Sequence, residues 1–498
     1  MNDYFDYIIY GFGVVLSIKM LILIVIGSII GIIVGIIPGM TATMAVAVII
    51  PITFSMTAQE GMSILMAVYV GGISGGLISA ILLNMPGTPS SVATTFDGYP
   101  MAQKGLGGQA LGLGITCSFI GGTIGLLVLM TVSPMLSRIA IKLGPTEYFS
   151  LLLFAMTMVV YLSADSLLKG TAAAVVGLLL ATVGTDPITA FPRFTFGYYQ
   201  LQGGIALLPA AIGMYAISQI LVDIEEVKGI SVVVDKTIKK FLPTLKELKF
   251  HTKNIIRSSI IGVLIGILPG VGGATSNLMA YSQAKKASRY PEKFGTGIPD
   301  GVVAPETANN ATIGGALVPM MALGIPGDTV TAMLLGGLMI HGLKPGPLLF
   351  VEHSDVVYTI FAAFFMANIV TFLLQTGGIK IFINVLNIPK HILLPLISFL
   401  CIIGAFATNN RIFDVWILLI FGILGYLMRK IKISLTPLLL GLILGPMAEV
   451  QLRTALSVRN HSLTVFLKPF SLFFIILTIL PLILFFYGRY REKHKNSR

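Results

Sequence analysis

The chain has 498 residues, 55% of them hydrophobic and only 11% charged, with a mean hydropathy of +0.91. Soluble domains carry roughly 45–50% apolar and about 25% charged residues, so the composition excludes a water-soluble globular protein and places the chain in a bilayer. The formal charge of +12 reports topology: basic residues crowd into Lys228–Lys253 and Arg489–Arg498, which the positive-inside rule assigns to a cytoplasmic loop and tail.

No basic soluble domain is present to hold a nucleic acid. Spans of about 20 residues leave room for roughly ten to thirteen crossing or re-entrant segments. Cys117 and Cys401 both lie in apolar runs, which favours buried free thiols over a disulfide or metal site. His341, His353, His391 and His461 lack metal-ligand spacing, and neither HExxH nor a Walker A sequence occurs. Met1–Gly13 has no basic region and no small-residue cleavage site, so it is expected to be retained.

In chain order, the first long apolar run, Ile18–Ile37, ends at Gly35-Ile-Ile-Pro-Gly39, and Met40-Thr-Ala-Thr-Met44 opens a second run to Met56. A further apolar run carries Gly75-Gly76 and breaks at Pro86-Gly87-Thr88. Leu111–Val132, Tyr148–Leu162, Leu167–Val183 and Gly203–Val222 read as ordinary spans. Asp186–Gln202, with Pro192, Arg193 and a Phe/Tyr-rich run, reads as an interfacial helix or part of a re-entrant one.

The second half repeats the first. Gly266-Ile-Leu-Pro-Gly270 answers Gly35–Gly39, and Gly314-Gly315 followed by Pro326-Gly327-Asp328 answers Gly75–Thr88, in the same order and at nearly the same offset. That pattern indicates an internal duplication. Val356–Leu374, Ile392–Ala407, Phe413–Met428, Leu435–Gly445 and Phe466–Phe486 then read as spans, with Leu435–Gly445 short enough to be a half-helix.

Proline removes a backbone donor and glycine tolerates most φ/ψ, so each Pro-Gly pair stops one helix and lets another start. At membrane depth such a break persists only where it lines a cavity or is buried in protein. Acidic residues flank the first breaks (Asp3, Asp6, Glu60), whereas Lys249, Lys253, Arg257, Lys285 and Lys286 flank the later ones. The two hairpin sets should therefore enter from opposite faces; Lys19 runs against this. The expected fold is an all-α polytopic membrane protein of two inverted-topology repeats with Pro-Gly-broken re-entrant helices. The expected parts are a first repeat (1–223), a polar basic linker (224–253), a second repeat (254–450) and a C-terminal span with basic tail (451–498).

A helix that begins just after a break points free N–H groups and its positive dipole end into the gap, which suits a carboxylate. Candidate substrate-binding residues of the first half are Pro38, Gly39, Thr41 and Thr43, with Asn84, Pro86, Gly87, Thr88 and Ser90. Those of the second half are Pro269, Gly270, Gly272, Gly273, Thr275 and Asn277, with Pro326, Gly327 and Thr329. Helix capping alone would also place hydroxyls at such positions.

Glu306, Asn309 and Asn310 fall at i, i+3 and i+4 at the mouth of an apolar run, on one helix face that could hold sodium or a substrate hydroxyl. The alternative is an N-terminal turn in which Glu306 complements the helix dipole. Asp328 reads as a coupling-ion ligand or an N-cap, and Asp97 as a turn residue.

The motifs Pro305-Glu-Thr-Ala-Asn-Asn310, Gly324-Ile-Pro-Gly327 and His341-Gly-Leu-Lys-Pro-Gly-Pro347, with Leu83-Asn-Met-Pro-Gly-Thr-Pro89 and Asp97-Gly-Tyr-Pro100, resemble the TctA family from about Gly31 to Glu449. These are the large membrane subunits of tripartite tricarboxylate transporters. The resemblance implies a secondary transporter of the cytoplasmic membrane that imports a small carboxylate. It also implies sodium as coupling ion, a small TctB-like membrane subunit, a TctC-like extracytoplasmic solute-binding protein and no resident cofactor. A gated anion channel is the alternative; an intramembrane hydrolase would need a nucleophile–base pair that the motifs do not offer.

Overall fold

Apolar runs in a bilayer fold into helices, because a helix satisfies its backbone internally where no water can. The computed structural model is helical nearly throughout and describes residues 2–163, 166–225, 242–385, 390–457 and 463–495. Among the described residues nine helices are long and apolar enough to cross a membrane, which makes this a multi-pass, all-α membrane protein. Residues 226–241 and 496–498, part of the expected cytoplasmic loop and tail, lie outside the described residues.

The first half comprises α1 (Asn2–Val15), α2 (Ile18–Ile36), α3 (Ala42–Ile49), α4 (Ala58–Leu83), α5 (Val92–Met101) and α6 (Gly107–Ala140). After these come α7 (Pro145–Ser163), α8 (Leu167–Ala181), strands β1 (Gly184–Thr185) and β2 (Pro192–Arg193), α9 (Leu207–Ile212) and α10 (Ser218–Glu225). The second half runs through α11 (Leu245–Ile267), α12 (Gly272–Ala287), α13 (Asp300–Leu323), α14 (Thr329–Ile340) and α15 (Leu349–Glu352). It ends with α16 (Ser354–Val385), α17 (Lys390–Asn409), α18 (Ile412–Lys430), α19 (Leu435–Ser457) and α20 (Pro469–Lys495).

One compact unit joins Met1–Ser137 to Leu208–Tyr426. Its centre is two helix pairs, α2 with α4 and α11 with α13. Helices in lipid gain little from burying apolar surface against each other and instead approach closely through small residues. On α2, Gly27, Gly31 and Gly35 recur every four residues on one face. A Cβ on Gly27 or Gly31 would lie 2.7 or 2.5 Å from the Ile64 or Val68 carbonyl oxygen, and one on Gly35 would collide with that of Gly72. The second pair repeats the seam, with Gly262 against the Ala308 carbonyl and Gly266 2.7 Å from that of Thr312. Helices α4 and α13 are thereby buried along nearly their whole lengths. The long α16 packs on the first pair, where Ser74 donates to Gln375 Oε1 at 2.9 Å.

The other unit joins Arg138–Leu207 to Leu427–Arg498. Gly441 of α19 sits 2.5 Å, in the same Cβ measure, from the Ala174 carbonyl of α8, and the Ser150 and Ser471 hydroxyls meet at 2.6 Å. Arg193 clasps Glu449 with both terminal nitrogens, at 2.6 and 3.2 Å, while Arg453 reaches Asp186 at 2.6 Å and Glu449 at 3.1 Å. The Arg453 guanidinium, with the Ile188 amide, holds the Asp186 carboxyl well below the usual carboxylate range.

Several expectations are corrected. Asp186–Gln202 is neither an interfacial nor a re-entrant helix: β1 and β2 form an antiparallel hairpin closed by Asp186, whose Oδ1 accepts from Ile188 and Thr189 amides. Pro187 and Pro192 remove the donors that a helix there would need. Leu435–Gly445 is not a half-helix, since α19 continues through Pro446 to Ser457. Its extension carries Glu449 and Arg453 one turn apart, where they pair. The run expected to Met56 divides into α3 and a 3-10 turn, Ile50–Ser55, beginning where Pro51 lacks its N–H. The pattern assigned no element to Met1–Gly13, yet α1 forms there, with Tyr7 stacked on Tyr358 at 5.6 Å. Lys19 ion-pairs with Glu60 at 2.6 Å. Both cysteines are buried and free.

Candidate functional site

The four Pro-Gly breaks come in two matched kinds. In the first kind, α2 stops before Pro38 and α11 before Pro269, and Gly39 (φ 94°) and Gly270 (φ 74°) turn the chain in a region that L side chains rarely adopt. Thr41 then caps α3, accepting from the Met44 amide at 3.1 Å, while α12 starts at Gly272. In the second kind, α4 ends at Asn84 and α13 at Gly324, both left-handed, with φ of 56° and 70°. Pro86-Gly87 and Pro326-Gly327 follow, and capping boxes restart the helices: Thr88 with Ser91, and Asp328 with Thr331. Gly87 lies against the Gly35 carbonyl and Gly327 against that of Gly266, so each second break docks on the end of its own pair.

Across the halves, the first break of one faces the second break of the other. The Thr43 and Thr329 hydroxyls meet at 2.7 Å, and Tyr69 donates from its hydroxyl to Asp328 Oδ2 at 2.6 Å. On the other side, the Ala93 amide donates to Asn277 Oδ1 at 2.7 Å. There a Cβ on Gly273 would lie 2.6 Å from Asn309 Oδ1 and 2.9 Å from Ser90 Cβ.

Thr43, Thr329, Asp328 and Gly272, whose Cβ would sit 3.2 Å from that of Asp328, therefore share one junction of breaks. Ser90, Thr88 (its hydroxyl 3.0 Å from that of Ser90), Gly273, Asn277 and Asn309 share the other. Asn84 is exposed and serves as a helix stop. Gly39 faces the buried Asp223 carboxylate, and Thr275 lies half-buried in the first turn of α12.

Glu306, Asn309 and Asn310 differ in their protein contacts. Glu306 is not at a helix mouth but fully buried within α13, accepting from Thr94 at 2.5 Å and Ser118 at 3.0 Å. Asn310 Nδ2 donates to the Glu306 carbonyl on its own helix at 3.0 Å. Asn309, 1% exposed, has no hydrogen-bond partner for either amide atom, and Asn277 Nδ2 is likewise unpartnered.

Asp97 is not a turn residue. It is buried in α5, and accepts from the Gly295, Gly297 and Ile298 amides and from the Tyr281 hydroxyl at 2.8 Å. A short Asp-Gly string suggested a turn, whereas its partners lie in the other half and could not be read locally. Tyr69, Thr94 and Ser118 were also missed; Tyr69 was signalled only by its repeat register, since it occupies in α4 the place of Asn309 in α13.

A multi-pass membrane protein whose paired broken helices bring buried neutral donors together between two repeated halves has the architecture of a membrane transporter subunit. The chain matches the Tripartite tricarboxylate transporter TctA family over residues 21–440, and it belongs to that family. It is similar to the "Uncharacterized 52.8 kDa protein in TAR-I ttuC' 3'region" of Agrobacterium vitis, with 35% identity over 83% of this chain and 82% of the relative. It is also 35% identical to the "Uncharacterized protein in TAR-II ttuC' 3'region" of the same organism, over 44% of this chain and 94% of that relative. No solved structure matches significantly.

Proposed function

We propose that the chain imports a small carboxylate by cation-coupled alternating access, working with a small membrane subunit and an extracytoplasmic solute-binding protein. The reading rests on one observation: first and second breaks from opposite halves meet, and bring helix N-termini, hydroxyls and amides together inside the protein. Neutral donors and a helix dipole receive a carboxylate without the desolvation cost of an isolated buried cation. Asp328, a buried carboxylate among the break residues, is the natural ligand for sodium, a hard cation that prefers oxygen, and Tyr69 positions it. The flanking charges support opposite orientations of the halves in the membrane, and movement of the paired hairpins exposes the site to each side in turn. The chain acts in transport rather than catalysis.

The test is uptake of radiolabelled citrate and dicarboxylates into proteoliposomes holding the chain with both partners, with and without a sodium gradient. Uphill uptake that requires sodium is expected; downhill flux indifferent to sodium would overturn the reading in favour of a channel.

A further inference from the structure

We infer that the N-terminal end of α11 binds an anionic phospholipid of the cytoplasmic leaflet. Its phosphate lies against Lys249, Lys253 and Arg257, and its acyl chains run along Ile260 and Leu264. The inference does not depend on the carboxylate-transport reading.

Aligning Pro38 with Pro269 sets α2 beside α11 residue by residue, and Gly31 and Gly35 then fall on Gly262 and Gly266. In that register Ile18, Ile22 and Ile26 of α2 correspond to Lys249, Lys253 and Arg257 of α11. The three isoleucines are 79%, 53% and 43% exposed, an apolar stripe of the kind that faces lipid chains. On α11, Lys249 and Lys253 are exposed and Arg257 partly so, and the same stripe continues as exposed Ile260 and Leu264. One helix face thus turns from apolar to basic over its last turns toward the cytoplasmic side, where its counterpart stays apolar.

The cations sit at headgroup depth. About 15 Å of helix separates Ile267 from Arg257, half the hydrocarbon core of a bilayer, so a helix that stops at the bilayer centre brings Arg257 to the edge of the core. The Cα–Cβ bonds of a helix tilt toward its N-terminus, which on α11 carries the Lys253 and Arg257 side chains up toward the headgroups.

The protein supplies them no counter-charge. Among the described residues no ion pair reaches Lys249, Lys253 or Arg257, and Arg257 Nε has no hydrogen-bond partner. The neighbouring carboxylates are engaged elsewhere. Glu247 accepts from the Thr244 amide and hydroxyl at 2.7 and 3.0 Å, while Asp300 pairs with His251 at 2.9 Å and accepts from Asn254 at 2.8 Å. Lys246, Lys249, Phe250 and His251, with Thr244 and Glu247, line an open concavity of about 600 Å3 at this end of the helix. A phosphodiester is a permanent anion whose oxygens take charge-assisted bonds from ammonium and guanidinium groups, and its acyl chains match the apolar continuation of the stripe.

The test is native mass spectrometry of the purified full chain with phosphatidylglycerol, zwitterionic phosphatidylethanolamine or glycerol 3-phosphate as the probe. Each basic residue near the surface adds to the attraction for anionic lipid, so the wild type should retain phosphatidylglycerol about tenfold or more over phosphatidylethanolamine. Glycerol 3-phosphate, which has the phosphate without the chains, should neither be retained nor displace the lipid. Combining Lys249→Gln, Lys253→Gln and Arg257→Gln should bring the preference within about twofold. Combining Lys285→Gln, Lys286→Gln and Lys293→Gln, which removes as many cations from exposed positions, should leave it intact. Equal retention of the two lipids by the wild type, a preference that survives in the first variant, or displacement by glycerol 3-phosphate would overturn the inference. So would loss of the bound lipid on adding the small membrane subunit, which would make the stripe a subunit interface. The wild-type comparison decides the matter even where a variant does not fold.

Discussion

Thr43 of the first half and Thr329 of the second share a hydrogen bond of 2.7 Å between their hydroxyls, although 286 positions separate them. Each belongs to the opening turn of a helix that restarts after a Pro-Gly break, so the bond ties the start of α3 to the start of α14.

Thr43→Val or Thr329→Val alone strands the partner hydroxyl in a mostly buried place, and each should lower stability by about 1–3 kcal/mol. The double variant should cost less than the two together, because neither hydroxyl is then left unmatched. Thermal unfolding of the four proteins checks this; strict additivity would show that the bond is not formed.

Tyr69→Phe removes one donor from Asp328 and leaves it the Thr331 amide and hydroxyl. Hydrogen bonds to charged groups are worth about 1.5–3 kcal/mol, so the sodium concentration for half-maximal uptake should rise about tenfold or more. An unchanged sodium dependence would remove Tyr69 and Asp328 from coupling.

The glycine seams give a sharp contrast. An alanine at Gly35 would strike the Gly72 carbonyl, so Gly35→Ala should prevent close packing of α2 on α4 and abolish a monodisperse folded protein. Gly13, exposed on α1 with nothing within 4 Å of the added carbon, should accept alanine with no loss, or with a gain of about 0.5–1 kcal/mol from helix preference. Size-exclusion profiles and melting temperatures of the two variants test it.

Acid should weaken the Asp186–Arg453 link in a defined window. The Asp186 carboxyl is depressed in the folded protein, so its contribution is fully present above the unfolded carboxylate value of about 3.9 and disappears as pH falls through the lower folded value. The stability advantage of wild type over Asp186→Asn should be constant from pH 8 to about 5 and shrink only below about 4. An advantage that vanished near neutrality would implicate another group.

The breaks and their register were legible because proline and glycine constrain the backbone locally, wherever the chain folds. Gly35-Ile-Ile-Pro-Gly39 and Gly266-Ile-Leu-Pro-Gly270 therefore announced the helix ends and their matching spacing. What remained hidden was partner choice across the halves. Tyr69 lies in an uninterrupted apolar run, and only packing brings its hydroxyl to Asp328. Glu306, Asn309 and Asn310 have the spacing of one face, yet Glu306 bonds Thr94 and Ser118, Asn310 bonds its own helix and Asn309 bonds nothing in the protein, because α13 is surrounded on all sides. Asp97 misled for the same reason: its string is that of a turn, and its amide donors come from the loop before α13.

The central claim is that a carboxylate occupies the gap where breaks from opposite halves meet, and the most direct measurement is sodium-driven carboxylate uptake by Asn277→Leu beside Asn84→Ala. Both asparagines follow or precede a break, but Asn277 is buried in the gap and Asn84 is an exposed helix stop. With both variants assembled as the wild type is, uptake should be lost in Asn277→Leu and retained in Asn84→Ala. Wild-type uptake by Asn277→Leu would contradict the account.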